Sequence, residues 1–357
     1  MALTREQAIA ETLKCKASFP YFLFTYGRIK SDTGGGIIRF ERWPYLVEIA
    51  ESWQGGGNFV EGKSRQLGYS WGLAGYDVWL MLFRKNARIL SISIGERESK
   101  SLLEKVKFVH ASLPSFLRLS LLKDNETEFG FVRTGSTMIA LPSTKNAGRG
   151  EKATLVQTDE WAMHPFAGDN FSAYQNAVAD GGQHIAVTTG NGPTGMFYNY
   201  FLNPPPTYTA RFNPWSARPD RDEAWYHRVK AEFDAAGDRH PLLFIRENPS
   251  TVEEMFTAFI GLVYDMFKPQ THMVEPGFTY REAKWRVASV DPGQGDPAAI
   301  SVIGESEAGQ AHQFGPVFYQ MGITSAQEIY AYLKGWYEQA PLHAVVVDGA
   351  EGTLIAT

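Results

Sequence analysis

Cysteine is all but missing: the 357 residues contain one, Cys15. A lone thiol excludes an intrachain disulfide framework and every zinc site built from several cysteines. Long apolar runs are missing too. No stretch approaches the ~20 apolar residues of a membrane helix, and MALTREQAIAETLK has no apolar segment behind its charges to act as a secretion signal. The expectation is a soluble, cytosolic chain with no membrane partner. Eight histidines are scattered without ligand spacing, so none is assigned to a metal. Excess positive charge is also absent, with 34 Lys+Arg against 39 Asp+Glu. The distribution is uneven, however: residues 1–150 hold 21 Lys+Arg against 14 Asp+Glu, a net +7, and the remainder carries −12. A basic N-terminal portion permits a local phosphate-contacting face, although a solvated mixed surface gives the same counts.

What is present is apolar material for two cores, at 44% hydrophobic residues, arranged in alternating periods. NFVEG (58–62) and ARILSISIG (87–95) read as strands, and the residues after each, 70–83 and from 96 on, have helical spacing. TEFGFVRTGSTMIALP reads as a hairpin turning near Gly135. ATLVQTDEW and QHIAVTTGNG add strands, with a helix between them around NFSAYQNAVA. Strands alternating with helices predict an α/β fold with a doubly wound, mostly parallel sheet.

Between the first strand and helix lies KSRQLGYS, residues 63–70. The usual phosphate loop, G-x-x-x-x-G-K-S/T, cradles phosphates in backbone N–H groups, reaches them with its lysine and holds Mg²⁺ through its hydroxyl. Aligning Gly68 and Ser70 with the last glycine and the hydroxyl puts Tyr69 in the lysine slot and leaves Lys63 at the start. The strand-to-helix context favours an anion at the helix N-terminus; a basic turn is the plain alternative.

Such a site needs an acidic pair on a neighbouring strand, and TLVQTDEW offers Asp159 for Mg²⁺ and Glu160 to orient and deprotonate water. A turn carboxylate or helix N-cap is the alternative, and Gln157 and Thr158 interrupt the apolar run. VTTGNG supplies Thr188, Thr189 and Asn191 as sensor candidates at the next strand end, or a simple Gly-Asn-Gly turn. Arg149, in the Gly-flanked NAGRGEKA, is a candidate for stabilising transferred phosphate.

The order FERWPY, KSRQLGYS, SISIGERES, ALPSTKNAGRG, TDEWAMHP and TTGNG resembles the large terminase subunit, the DNA-packaging ATPase of tailed bacteriophages, over most of residues 35–357. Many members of that family carry a deviant loop whose lysine stands at its beginning. The resemblance implies ATP with Mg²⁺ bound by Lys63, Ser64, Arg65, Gln66, Gly68, Tyr69 and Ser70, with Phe40, Trp43 and Pro44 bordering the adenine. It implies Arg149 as an arginine finger shared between subunits. It also implies double-stranded viral DNA, a portal protein and a small terminase subunit as partners, and a homo-oligomeric ring at the procapsid portal in the host cytoplasm.

The C-terminal third gives RVASVDPGQGDPAAISVIGE, AHQFGPVFYQ, a helix in SAQEIYAYLKGWYEQ, and HAVVVDG. This β-β-β-α-β order resembles the opening of a ribonuclease-H-like nuclease, in which the first and fourth strands are neighbours. That neighbourhood would join Asp291 and Asp348 around Mg²⁺ or Mn²⁺ for two-metal cleavage of DNA; an Asp-Pro-Gly turn is the plain reading of Asp291. The family supplies a third acidic residue from a later segment, so the expectation is an incomplete nuclease in a truncated chain. Domains are expected at 1–255, the P-loop ATPase with an N-terminal extension, and 256–357. A superfamily-two helicase-like DNA-dependent ATPase and a non-enzymatic DNA-binding scaffold are the competing readings. The helicase would need a second ATPase-like domain downstream, and ATP turnover separates out the scaffold.

Overall fold

In the first unit, residues one step apart on a strand belong to different cores. Phe59, Ile89, Leu155 and Ile185 pack into one apolar cluster, while their successors Val60, Leu90, Val156 and Ala186 pack into clusters with other partners. Successive side chains on a strand point to opposite faces, so a sheet with both faces covered needs this continuous apolar pattern. The structure is a computed structural model describing residues 3–31, 34, 36–237, 240–257, 277–291, 298–320 and 325–347. It divides into two units, Met1–Val263 and Tyr264–Thr357.

The first unit opens with helices α1 (Arg5–Ala17) and α2 (Phe19–Tyr26), a small hairpin of β1 (Arg28–Lys30) and β2 (Ile37–Arg39), and α3 (Pro44–Gly55). Then follow β3 (Asn58–Lys63), α4 (Tyr69–Phe83), β4 (Arg88–Ser93), α5 (Glu96–Ala111), β5 (Leu121–Asp124), β6 (Glu128–Phe131) and β7 (Thr137–Pro142). The rest comprises β8 (Leu155–Asp159), α6 (Ala167–Val178), β9 (Gln183–Thr188), α7 (Gly195–Leu202), β10 (Tyr208–Asn213), α8 (Glu223–Ala236), α9 (His240–Glu247) and α10 (Val252–Met255).

Eight strands form one sheet in the order β10-β3-β9-β8-β4-β7-β6-β5. All pairings from β10 to β7 are parallel, and the two at the β5 edge are antiparallel. The α/β, mostly parallel expectation holds, and the expected hairpin is β6–β7 with Gly135 at φ 66°. Beyond the expectation, the solvent-facing β5 pairs with β6, and β10 adds a parallel strand at the other edge. Helices α1 to α5 line one face, where Gly75 lets α4 approach α2: a Cβ there would lie 2.5 Å from a Leu23 methyl. Gln157 and Thr158, which break the apolar run of β8, are fully buried and hydrogen-bonded, although the Gln157 Oε1 has no partner among the described residues. Gln157 donates to Asp77 and Ser91, and the Thr158 hydroxyl pairs with His184.

The second unit contains β11 (Trp285–Asp291), β12 (Ala298–Glu305), β13 (Ala311–Gln320), α11 (Ala326–Tyr337) and β14 (Ala344–Val347). Its sheet order is β13-β12-β11-β14, antiparallel except for the parallel β11–β14 pair. The first and fourth strands are thus neighbours, as expected. Ala288, Val290, Ile300 and Val302 share apolar clusters with Ile329, Tyr332, Leu333 and Trp336 of α11.

Gly190, just beyond β9, lies so close to the end of α10 that a Cβ on it would stand 1.7 Å from the Met255 carbonyl oxygen. Gly190→Ala is therefore expected to destabilise the first unit by about 3 kcal/mol through forced backbone displacement. Denaturant melts of the two proteins check this; equal midpoints would refute the close approach.

Candidate active site

Parallel strands deliver their C-terminal ends to one edge of a sheet. Here β3 brings Lys63, β8 brings Asp159 and Glu160, and β9 brings Thr188 and Thr189. The pairings Gly62↔Thr188 and Asp159↔Val187 hold the three ends level.

Residues 64–68 connect β3 to α4. Their two left-handed positions are Gln66 at φ 59° and Gly68 at φ 78°. Glycine accepts that backbone freely, whereas a side-chain-bearing residue pays about 1–2 kcal/mol. Among the described residues, the N–H groups of Gln66, Leu67 and Gly68 donate to no acceptor. The α4 N-terminus follows at once and adds its own N–H groups and dipole to this anion-favouring concavity.

Lys63, 5% exposed, sets its Nζ 3.0 Å from Glu160 Oε1. The second oxygen, Oε2, accepts from the Thr189 N–H at 3.0 Å and the Thr189 hydroxyl at 3.2 Å. Thr188 Oγ1 lies 3.3 Å from that oxygen but only 2.7 Å from the Thr189 carbonyl, the better acceptor for its one hydrogen. Glu160 itself has φ 56°, and although it precedes a short turn of 3₁₀-helix, its side chain caps nothing. The helix-cap alternative for Glu160 is therefore set aside.

Ser70 Oγ donates to Asp159 Oδ2 at 3.0 Å, while Asp159 Oδ1 is buried with no hydrogen-bond partner among the described residues. Burial, together with the neighbouring Glu160 charge, raises the Asp159 carboxyl to about 6. Burial also acts to raise Glu160, but Lys63 and the Thr189 donors outweigh it and hold that carboxyl below its ordinary value. Two adjacent carboxylates with separated titration suit a division of labour between a cation ligand and a base.

The remaining expected residues are distributed as follows. Ser64 is fully buried, its hydroxyl 3.2 Å from the Glu247 carbonyl; the Arg65 guanidinium pairs with the Glu247 carboxylate at 3.0 Å. The Tyr69 side chain turns into the core. Its hydroxyl donates to Glu61 at 3.3 Å and accepts from Asn213 at 2.7 Å. Phe40 is core packing beside Gly68, while Trp43 is half-buried with the Arg218 guanidinium 4.9 Å over its ring. Pro44 starts α3. Asn191 is engaged away from Glu160, donating to the Ala162 carbonyl and accepting from Arg246. Arg149 is exposed between Gly148 and Gly150, at φ 75° and 77°, and its side chain makes no hydrogen bond or ion pair among the described residues. Asp291 ends β11 one residue past the Val290↔Val347 pair; Asp348 lies outside the described residues.

Sequence reading missed the loop's supports. Arg218 donates to the Gln66 carbonyl, and Arg221 donates to the Arg65 carbonyl and the Gln66 side chain. Beneath the loop, Glu61 is fully buried among Trp53, Tyr69 and Arg211. A carboxylate in a strand read as apolar was the one available signal, and nothing in NPWSARPDRDE tells a loop support from a surface arginine.

Burial raises Glu61 from 4.5 to about 7, against the attraction of Arg211. Because its folded value is raised, its contribution to stability is full below pH 4.5 and is lost as the pH climbs through 7. Glu61→Gln removes that loss. Thermal melts of the ligand-free chain should therefore show the variant gaining up to about 3 kcal/mol on the wild type between pH 4.5 and pH 8. A constant difference across that range would show that Glu61 does not titrate there.

No protein-family model matches the sequence. Among solved structures, the large terminase of a thermophilic bacteriophage, in complex with ADP, is 14% identical, with 88% of this chain and 79% of that chain covered at a TM-score of 0.50. The large terminase ATPase domain of Thermus phage P74-26 is 17% identical over 58% of this chain and 93% of its own, with a TM-score of 0.47. The bacteriophage HK97 large terminase is 11% identical over 92% and 73%, also at 0.47. At such identities the likeness concerns fold, and it is the first of these that carries it: this chain has the fold of a bacteriophage large terminase.

Proposed function

We propose that the chain is a large terminase subunit, an ATP-driven motor that moves double-stranded viral DNA into a procapsid. The observation that carries this reading is the Lys63–Glu160 pair at 3.0 Å beside a loop of undonated N–H groups. It joins the displaced lysine to the proposed base at the mouth of an anion-binding turn. The free N–H groups and Lys63 take the terminal phosphates of ATP. A phosphate competes with Glu160 for Lys63 and so frees the carboxylate oxygen that the lysine held. Glu160 then accepts the proton of the attacking water, while the Thr189 donors keep it aimed. The same bonds tie the base to β9, so Thr188 and Thr189 are suited to relay the chemical state of the site.

Ser70 and Asp159, with its unpartnered buried oxygen, fit a hydrated Mg²⁺, which when bound neutralises charge on the phosphates. Arg149, exposed and without a partner among the described residues, is suited to reach the phosphate of a neighbouring subunit in a ring. The second unit is read as the opening of a metal-dependent endonuclease, with Asp291 and Asp348 for Mg²⁺ or Mn²⁺. A helicase would need a second parallel ATPase sheet, and the mostly antiparallel order β13-β12-β11-β14 favours the nuclease instead. The partners proposed are viral DNA, the portal protein and the small terminase subunit, with action in the host cytoplasm.

Steady-state ATP hydrolysis with DNA tests the site. Lys63→Ala should lower kcat at least about 100-fold, the scale of a lost charge clamp, while Tyr69→Phe loses far less. Glu160→Gln should retain ATP binding and lose about 100-fold or more in turnover. Wild-type turnover by Glu160→Gln removes that residue from the chemistry. For the shared finger, Arg149→Ala and Glu160→Gln should each be inactive in a portal-driven ring, and mixtures of the two should regain activity at interfaces combining intact Arg149 with intact Glu160. Mixed rings without activity would put Arg149 in cis or outside the mechanism.

A further inference from the structure

We infer that Arg218 and Arg221 are positioning residues for the nucleotide: by gripping Gln66 from outside, they hold the phosphate loop open with its N–H groups turned inward. The inference rests on the nucleotide reading above. The loop is held at three points around Gln66. Arg218 Nη1 donates to its carbonyl at 2.9 Å, Arg221 Nη2 to its Oε1 at 3.0 Å, and Arg221 Nη1 to the preceding carbonyl, that of Arg65, at 2.9 Å.

Planar trans peptides make those contacts matter. The C=O and the following N–H of one peptide unit point in opposite directions. Drawing the carbonyls of Arg65 and Gln66 toward the arginines therefore turns the N–H groups of Gln66 and Leu67 the other way, and both lack acceptors among the described residues. Left-handed Gln66, at φ 59°, is the unfavourable element of this arrangement.

The two guanidiniums are themselves fixed. Arg221 is 7% exposed and lies 4.2 Å over the Trp225 ring. Arg218 lies 4.9 Å over Trp43, and its Nε and Nη2 donate to the two Asp220 oxygens at 2.6 and 2.8 Å. A planar fork spans two acceptors where an ammonium reaches one. Both arginines lie on the segment following β10, whose last residue, Asn213, accepts the Ser64 N–H at 3.0 Å. The loop's outer wall is thus continuous with the edge strand.

The test is a double-mutant cycle read by titration calorimetry of the full chain with ADP, with melts as a folding control. Arg221→Ala should weaken ADP binding roughly tenfold, the scale of a lost charged hydrogen bond, with Arg221→Lys in between. In a Gln66→Gly background, where the left-handed turn needs no holding, the same Arg221→Ala change should weaken binding by less than about threefold. Should Arg221→Ala fail to fold, Arg218→Ala and Arg221→Lys carry the same cycle. A folded variant binding ADP as the wild type does, or an equal loss in both backgrounds, overturns the inference and leaves the nucleotide reading intact. A wild-type chain that bound neither ADP nor ATP would sink that reading and this inference together.

Discussion

Lys63 and Glu160 meet across strands that are 97 residues apart in sequence, and the candidate site depends on that meeting. Each charge is costly to bring into the sheet edge alone. Lys63 is almost wholly buried, and an unpaired ammonium there would lose its hydration without return. Glu160 compensates it, and Lys63 with the Thr189 donors keeps Glu160 ionised. The pair satisfies both groups while no ligand is present, yet leaves each able to exchange its partner for a phosphate or a water. A site held by apolar packing alone would have no such exchange.

Around this pair the sheet acts as a rigid mount. Its helices cover both faces, so the strands are fixed by packing, and their parallel direction brings Lys63, Asp159 and Thr188 to one edge. Several unfavourable features lie at the same edge: left-handed Gln66 and Glu160, the Asp159 oxygen without a partner among the described residues, and the buried carboxyl of Glu61; others, such as left-handed Asn86 and the buried Asp77, lie elsewhere. A fold selected for stability alone would remove them. Those at the edge where phosphate chemistry is proposed fit a local trade of stability for function.

The second unit follows a simpler logic. One face of its sheet packs on α11 through alternate residues of β11 and β12. Trp285, Ile303 and Val346 remain exposed. Its strand order was legible because each strand is bounded by turn residues and the helix carries a strong apolar stripe, with Ser325 and Glu328 forming a capping box at its start.

The sequence by itself determined the period of each element, and hence the sheet's type and the strand ends where Lys63, Asp159, Glu160 and Thr188 fall. Those are local facts, written in alternation, glycine placement and residue chemistry. It could not determine what lies over or under the loop. Arg218 and Arg221 come from a segment with no periodic signal, Glu61 sits in a strand where apolar residues were expected, and Tyr69, aligned with a lysine slot, proved to turn inward toward Asn213. The contacts of Asn213, Arg218 and Arg221 span 144 to 156 residues of sequence, and they depend on β10 adding itself to the edge of β3. Only the tertiary structure decided that pairing, since an edge strand is chosen by the surface left for it and not by its own pattern.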